Sequence, residues 1–371
     1  MSFRSVCLFG LLFASSKLIG QENTTNNSYR SFSALSTLSK FIFKDDEYNN
    51  ISVPHFYIWE LNISTKKHQN DRWVKHYNYP EIGFSFAYTN FKQQSLLGSM
   101  HSIIAYVSFP LFMRPKLFGS FFIGTGLAHI KNPYDLEKNK KNLAVSTHIN
   151  NNTRFGLSTE YQFYKNWLIT GRLSFNHLSV GMLSLPNWGL DIPGLSFGVK
   201  HKIGYLPKEN SLKKDNFEQA SFIKTNLAFA LKESLHLNGP RYPIYIFSAN
   251  VGKYLKEWNK VFVGVNITEN KLIECFEDET DNEKKYALLK HNPTSIEVGD
   301  EILLNNLGFS GQVVYYLHYP HLKPAPLYTR LGLSYYLKKH LAYFAIMLKA
   351  HNARADYIEW ALGFQIHKRK K

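Results

Sequence analysis

The sequence predicts an all-β protein, a transmembrane antiparallel β-barrel of about 12–14 strands. Three observations lead there. Aromatic residues make up 15% of the chain, with 23 Tyr and 28 Phe, yet the mean hydropathy is only -0.27. A soluble core that rich in rings would raise the hydropathy, whereas a barrel combines apolar outward faces, polar inward faces and aromatic girdles. Short runs rich in β-branched and aromatic residues recur between turn-like segments along most of the chain. Beyond the N-terminus, no stretch reaches the roughly 18 uninterrupted apolar residues of a membrane-crossing helix.

The N-terminus reads as an export signal over residues 1–20. Arg4 supplies a basic start, Val6 to Ala14 form an apolar stretch too short to span a bilayer, and Ser15, Ser16 and Gly20 are small residues suited to cleavage. Gln21 is the expected mature start, and residues 21–53 read as a polar N-terminal segment. Strand-like runs then follow at 56–64, 82–91, 103–113, 117–130, 154–163, 167–179 and 195–203, forming a first half over 54–205. After a polar linker near 206–217, the second half (206–371) resumes with runs at 223–231, 244–254, 261–267, 307–318, 328–337, 341–349 and 357–366. Residues 269–301 read as a long polar connection.

The halves echo one another. Tyr79-Pro80 and Tyr242-Pro243 each open a strand, while Gly156-Leu157-Ser158 leads to His177 much as Gly332-Leu333-Ser334 leads to His351. A duplicated half-barrel accounts for this, and so does the general likeness of barrel strands. His351 is followed at the serine position by Ala353, so the second half reads as scaffold.

The run 167–179 carries the most information. Trp167, Ile169, Gly171, Leu173 and Phe175 share one face, and Thr170, Arg172, Ser174 and Asn176 share the other. Arg172 belongs toward a polar lumen, so the odd-numbered face meets lipid. On that reading Asn176 faces the lumen and should tolerate a charged replacement. The preceding turn is short and the following connection is long, as expected for a strand rising from the periplasmic side. About 30 Å of rise puts residue 179 at the outer-leaflet headgroups.

His177 and Ser179 lie two apart and so share the lipid face. A serine hydroxyl needs a neighbouring base to attack at neutral pH, histidine provides one, and a carboxylate fixes the imidazole. Asp191 has lipid-face parity on the next strand, with Pro193 as a threat to that register. An H-x-S pair alone is common by chance.

The wider segment from Phe175 to Asp191 (F-N-H-L-S-V-G-M-L-S-L-P-N-W-G-L-D) resembles the lipid A 3-O-deacylase family. Tyr79-Pro80-Glu81-Ile82-Gly83-Phe84 resembles the start of longer lipid A deacylase and acyloxyacyl hydrolase barrels of Bacteroidetes-type bacteria. The likeness covers about residues 50–205, and the C-terminal half only by analogy. It implies an outer-membrane serine esterase that cleaves an acyl ester of lipid A, with the 3-O-linked chain as the expected target, Ser179 as nucleophile, His177 as base and Asp191 as the acidic member. The family has asparagine after the serine, where it is thought to serve the oxyanion hole; this chain has Val180. Gly181 and Asn187 are the candidate substitutes for that donor.

The charge of +16 falls to +14 without Arg4 and Lys17, which suits the anionic phosphates of lipopolysaccharide as well as simple solvation. The basic end at His367–Lys371 reads as a solvated tail, and no nucleic-acid partner is expected. Of two cysteines, Cys7 lies in the signal and Cys275 stands alone, so neither a disulfide nor a metal site is expected, and no cofactor. The alternatives to an esterase for lipid A are a non-catalytic barrel (a pore, an adhesin or a disabled deacylase) and a phospholipase using the same residues.

Overall fold

The structure, a computed structural model, describes residues 28–42, 54–67, 72–91, 96–204, 220–234, 237, 239–273, 292–319, 325–337, 341–352 and 354–369. The signal reading, Cys275 and Ala353 lie outside the described residues. The first eight strands are β1 (Ser28–Ser39), β2 (Phe56–Lys67), β3 (Glu81–Asn90), β4 (Ser99–Met113), β5 (Leu117–Ile130), β6 (Ile149–Tyr164), β7 (Trp167–Ser179) and β8 (Leu190–Gly204). The second eight are β9 (Ala220–Glu233), β10 (Arg241–Lys256), β11 (Asn259–Asn270), β12 (Thr294–Leu304), β13 (Leu307–His318), β14 (Leu327–Leu337), β15 (Ala342–His351) and β16 (Arg354–Arg369). A short helix, α1 (Arg72–His76), precedes β3.

The class is the expected antiparallel barrel, but the strands divide differently. In place of one barrel of about 12–14 strands, β1–β8 close into one ring through the β1–β8 pairing, and β9–β16 close into a second through β9–β16. Two strands escaped the sequence reading for one reason. β1 turns Ser31, Thr37 and Ser39 inward, β12 turns Ser295, Glu297 and Glu301 inward, and all six are buried. A strand whose inner face is polar reads as a polar connection when apolar content is the signal. Residues 28–39 therefore belong to the first barrel rather than to a polar N-terminal segment.

An eight-stranded barrel is just wide enough for side chains to fill, and both lumens are filled. In the first, Glu60 meets Arg154 at 2.8 Å and Arg172 at 3.1 Å, and Lys200 meets Glu81 at 2.8 Å and Glu160 at 2.9 Å. In the second, Glu301 is shared by Lys224 and Lys260 at 3.1 and 3.2 Å, and Arg330 meets Glu297 at 2.9 Å. Ions removed from water persist only when paired in this way. Such packing gives the pore reading no support. It also corrects the expectation for Asn176, which is buried and accepts a 2.6 Å hydrogen bond from Arg154 Nε. A second cation there would face Arg154, whose carboxylate partner Glu60 is already shared with Arg172.

The outward faces are apolar. Trp59, Leu61, Leu173 and Phe197 of the first barrel and Leu227, Leu331, Leu362 and Ile366 of the second are exposed, the surface that lipid covers. At the end of the first barrel where β7 finishes, the lumen becomes an apolar plug of Phe41, Phe56, Phe91, Met100, Ile130, Val145, Leu178, Leu190 and Ile192, among others. The barrels touch at both ends. His76 of α1 stacks on Trp258 with ring centroids 4.4 Å apart, and at the opposite end Glu233 N donates to Met182 O at 2.9 Å.

Candidate active site

The site grows out of the β7–β8 hairpin. On β7, Leu178 and Asn176 are buried, while His177 and Ser179 on the alternate positions are half-buried on the outer face. The parity expected from the sequence is the parity observed. β8 runs back beside β7 with His177 directly opposite Asp191 and Phe175 opposite Pro193, without a register shift. Pro193 does not break the pairing. The ladder from β8 to β1 ends next to it, at Gly194 opposite Ser39, a position where a missing N–H is tolerated.

Register thus places His177 and Asp191 as a cross-strand pair, and His177 Nδ1 lies 2.6 Å from Asp191 Oδ1. The carboxylate is shielded, with its side chain 10% exposed against 34% for the imidazole. The neighbouring Leu178, Leu190 and Ile192 belong to the buried apolar plug. Asp191 O accepts a bond from Ile42 N at 3.0 Å, so the residues after β1 brace the site as well.

Ser179 Oγ accepts two hydrogen bonds, from Gly181 N at 3.1 Å and from Asn187 Nδ2 at 2.8 Å. Asn187 also donates to Gly181 O, and its Oδ1 lies 3.4 Å from Val180 N. All five residues singled out from the sequence therefore meet at one end of the hairpin. Val180 is buried, and Asn187, from across the loop, presents the amide. Among the described residues no hydrogen bond joins His177 to Ser179, and catalytic bonds of this kind often tighten only when substrate is present.

Two supports were missed by the sequence reading. Gly189 has φ +80°, and a Cβ on it would stand 2.7 Å from His177 Cε1; only glycine fits against the ring. The loop after β5 receives Trp188 N at Leu143 O (3.2 Å) and Gly189 N at Ala144 O (3.0 Å). The glycine before Leu190 was a visible turn signal, whereas nothing local announced the loop contact. His351, the suggested counterpart of His177, lies on β15 with its Nε2 3.2 Å from the Tyr316 hydroxyl and its Nδ1 3.5 Å from Asp356. It belongs to a polar cluster of the second barrel. Among the described residues no group of three metal-ligating side chains forms.

Two barrels with filled lumens and apolar outer walls are the architecture of an integral membrane protein, and on the outer wall of the first Ser179, His177 and Asp191 lie together. Residues 59–200 match the model of the lipid A 3-O-deacylase (PagL), and residues 220–368 match that of the acyloxyacyl hydrolase C-terminal domain. The chain belongs to this family of outer-membrane lipid A deacylases, and the two matched ranges fall one to each barrel. No curated protein sequence matches it. Among solved structures it is similar to Neisserial surface protein A (13% identity, TM-score 0.31, 48% of this chain and 97% of that one). It is also similar to Pseudomonas aeruginosa OccK3 (11%, TM-score 0.21, 93% and 96%) and to the P. putida toluene transporter TodX (8%, TM-score 0.18, 94% and 91%).

Proposed function

We propose that this protein is a serine esterase that hydrolyses an acyl ester of lipid A, with the 3-O-linked chain as the expected target. The observation that carries the reading is the 2.6 Å His177–Asp191 pair on the lipid face, two residues from a serine whose oxygen is held by two N–H donors. With Nδ1 bound to Asp191, the other imidazole nitrogen is the one left to take the Ser179 proton. Ser179 Oγ attacks the ester carbonyl, and His177 returns the proton to the sugar oxygen as it leaves. Water, activated by the same imidazole, then releases the fatty acid from the acyl-enzyme. Gly181 N and the Asn187 amide lie against the attacking oxygen, where they can turn to the oxyanion as it forms.

The test is mass spectrometry of lipid A incubated with purified protein. Ser179→Ala and His177→Ala should each abolish the loss of one acyl chain, and the double variant should be hardly worse than either, because such residues act as a unit. Full activity in Ser179→Ala would refute the mechanism. Release of fatty acid from phospholipid but not from lipid A would reassign the substrate.

A further inference from the structure

We propose that Glu233, at the end of the first strand of the second barrel, is a positioning residue for the Ser179 site. The second barrel is thereby a working part of the first barrel's chemistry. The inference rests on the reading of Ser179 as the reacting group.

The loop between β7 and β8 supplies both donors to Ser179, from Gly181 near its start and Asn187 near its end. Its two flanks have different supports. The Trp188–Gly189 flank is bonded to the loop after β5, and within the stretch between the donors Ser184 O accepts one bond from that side, from Ser146 Oγ at 2.9 Å. On either side of Ser184 the stretch is gripped from the second barrel. Glu233 N donates to Met182 O at 2.9 Å, and Glu233 Oε2 accepts from Leu185 N at 3.1 Å. Gly181 is packed from the same side, with Tyr357 Cα and Ile358 Cγ1 each 3.7 Å from the place a Cβ would take. One residue thus holds the loop twice, by backbone and by side chain.

The choice of residue is informative. Glu233 is 1% exposed, and burying a carboxylate is costly unless it is well paired. Among the described residues its Oε1 has no hydrogen-bond partner. An apolar side chain would pack two barrels together at lower cost, but it could not accept the Leu185 N–H. The bond from Leu185 N to Glu233 Oε2 fixes the loop where it carries the donors, and departures from the cheapest packing concentrate at functional sites.

The experiment compares Glu233→Ala and Glu233→Gln in the full chain, with hydrogen exchange and lipid A kinetics read on the same samples. Glutamine keeps an acceptor oxygen and should retain most activity. Alanine should raise amide exchange within residues 180–187 by about 10- to 100-fold, the range for leaving a buried N–H without its acceptor. It should lower kcat by a similar factor with KM little changed. Unchanged loop exchange in Glu233→Ala would overturn the grip, and faster loop exchange with wild-type kcat would overturn the positioning role. Exchange rising equally throughout β9 and β16 would also overturn it, by marking a general loss of packing. If the wild type releases no acyl chain, the reading of Ser179 fails by itself, and the exchange measurement decides the grip alone.

Discussion

Gly189→Ala tests how closely the His177 ring must be held. The residue sits at φ +80°, a conformation that costs an L-residue roughly 1–2 kcal/mol. Its added Cβ would lie 2.7 Å from His177 Cε1 and 3.4 Å from Nε2, where ordinary contact begins at 3.4 Å. The ring must therefore give way by about 0.7 Å, working against its 2.6 Å bond to Asp191. A misplacement approaching 1 Å at a reacting group costs up to about 10²-fold in rate. The expected outcome is a kcat lowered by about 10- to 100-fold, a stability loss of about 1–2 kcal/mol and KM nearly unchanged, because the substitution touches the proposed base rather than the acyl chain. The assay is the initial rate of acyl release from lipid A in detergent, beside a denaturant titration of the same preparation. Wild-type kcat in Gly189→Ala, with the stability loss present, would refute the claim that this contact sets the imidazole position.

Asn187→Ala removes the 2.8 Å donor to Ser179, and kcat should fall by about 10²–10³; a change below threefold would exclude it from the oxyanion site. Arg330→Met strands Glu297, 2.9 Å away in the second lumen, and should destabilise the fold by about 3–5 kcal/mol, measured by denaturant unfolding. Cysteines at Lys165 and Pro186, at opposite ends of the β7 region, should label from opposite sides of the membrane, Pro186 from outside; equal surface labelling of both would refute the assigned orientation. Asp135, in the loop after β5, is held below the usual carboxylate range by the backbone N–H groups of Lys138 and Glu137. A lowered folded-state value contributes stability above the unfolded value of about 3.9 and loses it as pH falls through the folded one. Protection of those two amides should therefore hold from pH 7 to about 4 and fail below it; loss already near pH 6 would show that another group holds the turn.

The sequence by itself determined what depends on neighbours along the chain. A period of two assigns faces, so the lipid-facing parity of His177 and Ser179 and the inward turn of Arg172 followed from spacing alone. The same rule failed at β1 and β12, where inward Ser, Thr and Glu made strands look like loops. Only the tertiary structure decided what depends on closure. Whether sixteen strands form one ring or two is fixed by β8 returning to β1 and β16 to β9, pairings between residues far apart in sequence that no local pattern encodes. Asp191, Gly181 and Asn187 were named from the sequence, but their aim at His177 and Ser179 depended on the β7–β8 register and on the path of a loop held by Leu143, Ala144 and Glu233. Spacing says which way a side chain points; what it meets there is settled by distant parts of the chain, through packing that exists only once both barrels have closed.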